Sequence, residues 1–140
     1  MAYKLLALIV LFIASAAQTS ACTFSSNNNG LLKANPAFGF VYSNNPASVI
    51  ITTVVSSTLI VDPVSSFADA PSGVALTQPI LFSGALGGFP LEGSPSAGYT
   101  VVIEEPGNYI LNLSVDRAWI SPTIIAGNYT VQSNIHCNPN

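Results

Sequence analysis

Two cysteines, Cys22 and Cys137, enclose almost everything that follows an apolar N-terminus. An even, isolated pair in an exported chain permits one intramolecular bridge. Placed like this, it staples the first strand of a domain to its last. Closing so long a loop is worth about 4–5 kcal/mol on the chain-entropy account, a large share of a small domain's stability. A second chemistry competes for the first sulfur. Thr19-Ser20-Ala21-Cys22 loosely resembles a bacterial lipobox, in which the cysteine carries lipid, although Thr19 stands where a large aliphatic residue is usual. The even cysteine count favours the bridge.

Residues 1–21 have the layout of a secretory signal: Lys4, an apolar run from Leu5 to Ala17, then small residues up to Ala21. The run is shorter than the roughly 20 residues needed to cross a bilayer, so no integral membrane segment is expected in the mature chain. Cleavage after Ala21 leaves one domain, residues 22–140, long enough to bury a core. Lys33 and Arg117 are then its only Lys or Arg residues, against the acids Asp62, Asp69, Glu92, Glu104, Glu105 and Asp116. Two cations cannot form the basic stripe that displaces counterions from phosphates, which excludes nucleic acid as a partner. Asn, Ser, Thr and Gln carry the polar surface instead, a composition common on extracellular structural and adhesive proteins.

No helical period is sustained after the signal; short apolar alternations are cut by Gly, Pro and Asn, the pattern of all-β folds. Ser25–Gly30 reads as a polar turn. Strands are expected at Leu31–Ala34, Phe38–Tyr42, Ser48–Val55, Thr58–Val61, Ile80–Ser83 and Tyr99–Glu104, with a short one near Val74–Thr77. Asp62–Gly98 is rich in Pro and Gly and suits irregular edge strands. Tyr109–Val115 and Tyr129–Cys137 alternate strictly, which puts Cys137 on the core face of the last strand and His136 on the solvent face. Both strands begin with Gly-Asn-Tyr, at Gly107 and Gly127. Glu105–Tyr109 suits a tyrosine corner, in which the hydroxyl bonds back to the preceding turn; two ordinary turn-to-strand junctions fit equally well.

Little here supports catalysis. His136 is the single histidine, and Cys137 beside it points to the opposite face. Gly93–Gly98 has the wrong spacing for a nucleophile elbow, and no helix follows Gly84–Gly88 to bind phosphate. Glu104 and Glu105 diverge as neighbours at a strand end, which disfavours paired-carboxylate glycoside chemistry. Asp62 and Asp69 share a loop without calcium-loop spacing. No cofactor or metal is expected. Asn112 and Asn128 open formal glycosylation sequons. Trp119, after Arg117 and before Pro122, is either a sugar-stacking platform or a plug at one end of the core; with Tyr99 it is the candidate ligand contact.

Ile125–Val131 (IAGNYTV) with the Asn-Pro tail, and Cys22 followed by a polar stretch and Asn35-Pro36, resemble the two ends of spore-coat-U-type domains. Those are exported β-sandwiches related to archaic chaperone–usher pilins. The resemblance implies an extracellular structural or adhesive role without catalysis. Two features depart from a polymerising subunit: Thr23–Gly30 is too polar to donate a strand, and the cysteine pair spans the domain. The resulting expectation is an all-β, immunoglobulin-like antiparallel β-sandwich, secreted, periplasmic or at the cell surface (lipid-anchored through Cys22 in the alternative). It is non-catalytic and structural or adhesive, or else a carbohydrate- or ligand-binding module; its partner is a protein or glycan at the cell surface.

Overall fold

The computed structural model describes residues 8–9, 21–121 and 124–140. Apart from Leu8–Ile9 and Ala21, the expected signal segment lies outside the described residues. The strands are β1 (Leu8–Ile9), β2 (Cys22–Asn28), β3 (Leu31–Asn35), β4 (Phe40–Asn45), β5 (Ala47–Thr53), β6 (Ser57–Val61) and β7 (Ala75–Leu76). They continue as β8 (Leu81–Leu86), β9 (Phe89–Pro90), β10 (Glu92–Ser94), β11 (Gly98–Ile103), β12 (Gly107–Ser121), β13 (Thr130–Val131) and β14 (Ile135–Pro139). The described residues contain no helix. Apart from the parallel pair β1–β13, the ladders are antiparallel, in an all-β, sandwich-like fold.

The larger sheet is built from long lines of chain broken near their middles. β2 and β3 run end to end along β5 and β4. These in turn run along the two halves of β12, from Gly107↔Thr53 to Leu113↔Ala47 and then at Ala118↔Val41 and Trp119↔Phe40. On its other side β12 pairs β8 and then β7. The breaks have local causes. Pro46 has no N–H for the ladder, and the Asn28 side-chain amide donates to its carbonyl at 3.3 Å. Opposite it, Gly30 has φ +70, and a Cβ there would lie 2.7 Å from the Ala47 nitrogen. Only glycine fits that turn.

The smaller sheet has the order β10-β11-β6-β14. Two ties join the layers. Cys22 of β2 is disulfide-bonded to Cys137 of β14, with Cα atoms 6.0 Å apart, inside the normal range for a bridge. On the other flank the Tyr99 hydroxyl of β11 donates to the Phe82 carbonyl of β8, and the two rings meet edge to face at 5.1 Å. Between the ties, Val49, Ile51, Leu111 and Leu113 of the larger sheet are buried, as are Leu59, Val61, Ile103 and Ile135 of the smaller. Each such side chain contributes about 1.5–3 kcal/mol on burial.

Several expectations need correction. Ser25–Gly30 is not a polar turn: most of it belongs to β2, laddered to β5. Pairing uses backbone groups, and its Ser and Asn side chains stay exposed on an edge strand, where polar residues discourage further pairing. Phe38 lies in the turn before β4, 70% exposed. The strand from Tyr109 runs on to Ser121, past the end of its alternation. The last strand is divided: β13 pairs β1 and is bridged to Asp69, and β14 pairs β6. Its alternation survives the break, with Tyr129, Val131, Ser133 and Ile135 buried and Asn134 exposed.

The Gly-Asn-Tyr repeat makes the same bond twice. Tyr109 donates its hydroxyl to the Glu105 carbonyl at 2.7 Å, a tyrosine corner. Tyr129 does so to the Ile125 carbonyl at 2.8 Å and also accepts from the Ile125 N–H at 3.2 Å. In both cases the tyrosine reaches back four residues to clamp its own turn.

Candidate binding surface

β12 changes phase in mid-strand. Leu111, Leu113 and Val115 are buried, Asp116 and Arg117 are both exposed, and then Ala118 and Ile120 are buried. A register shift against β8 between Val115 and Arg117 is the cause. One extra residue there leaves two consecutive side chains outside and reverses the parity of everything after it. Without this bulge, Trp119 would face the core. With it, Arg117 and Trp119 join the outer face.

The neighbouring strands supply the rest. Phe40 sits directly across from Trp119, and Lys33 of β3 directly across from Tyr42. The Phe40 ring meets Trp119 edge to face at 5.0 Å and Tyr42 at 5.8 Å, and Phe38 stacks on it at 6.5 Å. The Arg117 guanidinium carbon lies 5.5 Å from the Phe40 ring centre and 5.7 Å from that of Trp119, within cation–π range. Exposed Leu31 and Leu81 flank the group. Asp116, the acid next in sequence, is turned to the Ser83 hydroxyl, which donates to it at 3.1 Å.

Trp119 is therefore half-buried on the surface, not an end plug. Tyr99, its expected companion, is not brought to it: it is 7% exposed and forms the tie to Phe82. Phe38, Phe40 and Tyr42 gave no signal as site residues, because their meeting with Trp119 depends on a pairing nearly 80 residues apart in sequence.

The remaining chemistry-bearing groups are scattered. His136 Nε2 lies 2.7 Å from Asp62 Oδ2, a pair that its outward direction alone did not reveal. Asp62 is thus engaged by His136, while Asp69 bridges Thr130, so they do not form a shared carboxylate site. Among the described residues, no group of three or more His, Cys, Asp or Glu could hold a metal ion, and no helix is long and apolar enough to cross a membrane. The sequon residue Asn128 is exposed, and Asn112 faces Ser48 across the ladder.

Burial pushes the Tyr99 hydroxyl above its ordinary 10.0, with the Asp116 charge adding to the effect. It pushes Tyr129 up as well, opposed by the bond to Ile125. A folded value above the unfolded one means stability that is whole below about pH 10 and is lost as pH rises through the folded values. Tyrosinate absorbance of the native protein should accordingly lag that of the denatured protein above pH 10; coincident titrations would contradict the burial of both hydroxyls.

The fold and this face together define an all-β, disulfide-closed domain with an aromatic and cationic outer surface. No protein-family model matches the chain, and no curated protein matches it significantly.

Proposed function

We propose that this chain is an exported, non-catalytic surface-interaction domain that takes its ligand on the outer face around Trp119. The signal-like N-terminus and the disulfide, which is compatible with an oxidising compartment, support export. An adhesive role agrees with the resemblance to spore-coat-U-type and pilin-like domains. The observation that carries the reading is the grouping of Phe38, Phe40, Tyr42 and Trp119 on one side of the sheet, outside the core.

That grouping favours carbohydrate as the ligand class. Pyranose rings present C–H faces that stack on aromatic rings, and a cluster of rings outside the core offers that contact. Trp119→Ala should weaken oligosaccharide binding by at least about tenfold, the behaviour of a central aromatic anchor. The melting temperature should move little, since the residue lies outside the core. Undiminished binding by a folded Trp119→Ala protein would place the contact elsewhere.

A further inference from the structure

We infer that the ligand of this face is an acidic glycan whose carboxylates are met by Arg117 and Lys33. The inference rests on the surface-interaction reading above and adds the charge of the ligand. Arg117 and Lys33 are the only Lys or Arg residues after Lys4; Arg117 lies against the half-buried Phe40 and Trp119 rings, and Lys33 is directly across the ladder from Tyr42. Neither is held in an ion pair: the ion pair among the described residues is His136–Asp62.

Five of the six acids are placed elsewhere; the sixth, Asp116, is exposed beside Arg117. Glu92 lies in β10, and Glu104 and Glu105 lie in the turn between β11 and β12. Asp62 and Asp69 are tied to the β13–β14 segment, and Asp116 is turned to Ser83. An acidic protein thus concentrates its positive charge on its most aromatic surface. The guanidinium rests against two rings with its N–H donors available, and a carboxylate can accept two of them side by side. A ligand complementary to both parts offers an apolar ring face and a carboxylate, as a hexuronic acid does in each unit.

Size points the same way. The face comprises Phe38 of the turn before β4 and seven side chains on four strands, Leu31, Lys33, Phe40, Tyr42, Leu81, Arg117 and Trp119. A stable protein interface engages roughly 20–30 residues a side. A few sugar units fill this area; a folded partner overhangs it.

The test is calorimetric titration of the full chain with a galacturonic acid hexamer, its methyl-esterified form and a neutral glucose hexamer. The acidic hexamer should bind at least about tenfold tighter than its ester, and added salt should erode the difference. Arg117→Gln with Lys33→Gln should abolish the preference, while Arg117→Lys, which keeps the charge, should retain part of it. Melting curves confirm that each variant is folded. Equal affinity for acid and ester would overturn the inference and leave the carbohydrate reading standing. Binding of none of the three sugars would overturn both. So would binding of the chain to vesicles of anionic lipid, or to a protein, through this face with no sugar bound.

Discussion

Removing the Cys22–Cys137 bridge is expected to destabilise the domain by about 4–5 kcal/mol, the chain-entropy value for a loop of 115 residues. For a chain of this size that corresponds to a fall in melting temperature of about 15–25 °C. The bond does more than shorten the unfolded chain. It pins β2, an edge strand of polar side chains, to β14 at the edge of the other layer. Without it, one flank of the sandwich is held by the ladders to β5 and β6 alone. The other flank keeps the Tyr99–Phe82 tie. Opening should therefore begin at β2 and β14, and hydrogen exchange in the double Cys22→Ala, Cys137→Ala variant should speed up there first. Intact mass gives an independent check, because the bridged protein is two hydrogens lighter than the reduced one. A lipid-sized increment, or an unchanged melting temperature after full reduction, would remove the bridge from the account.

The second large effect is expected at Tyr129. It is fully buried, its ring meets Phe67 at 5.2 Å, and its hydroxyl makes both bonds to Ile125. Tyr129→Ala leaves a cavity under the β13 segment and should cost about 3–5 kcal/mol by urea denaturation. Tyr129→Phe keeps the ring and loses both hydroxyl bonds, for about 1–2 kcal/mol. The matched change at the other copy of the repeat, Tyr109→Phe, should cost less, because its single bond to Glu105 is exposed to water that can replace it. Equal losses at the two tyrosines would mean that the corner bond, not its burial, sets the energy.

What the sequence made legible follows from the range of the interactions. Alternation is local, so the all-β class, the core side of Ser133 and Ile135 and the outward direction of His136 could be read from neighbours alone. The cysteine pairing was legible because two cysteines leave a single intramolecular choice. The strand Cys22–Asn28 carries the polarity typical of a turn, while an edge strand needs only its backbone to pair. Trp119 was ambiguous for a different reason. The alternation that could have assigned its face stops at Val115, and a bulge leaves no residue signature in Val115-Asp116-Arg117. The partners Phe40 and Tyr42, like the pairing of Asp62 with His136, come from long-range topology that no local pattern encodes.

The phase change in β12 gives the outer face an unusual dependence on chain length. Leu113 and Val115 keep one parity and Ala118 and Ile120 the other, so the number of residues between them assigns every later side chain to water or to the core. Changing the identity of Asp116 leaves that assignment intact. Deleting it removes the surplus residue and gives unbroken alternation from Val115 to Ile120, which keeps the guanidinium and indole outside and Ala118 and Ile120 in the core. The surface is thus held by one surplus residue: tolerant of substitution or loss at the bulge, and erased only if the present length were drawn into unbroken alternation.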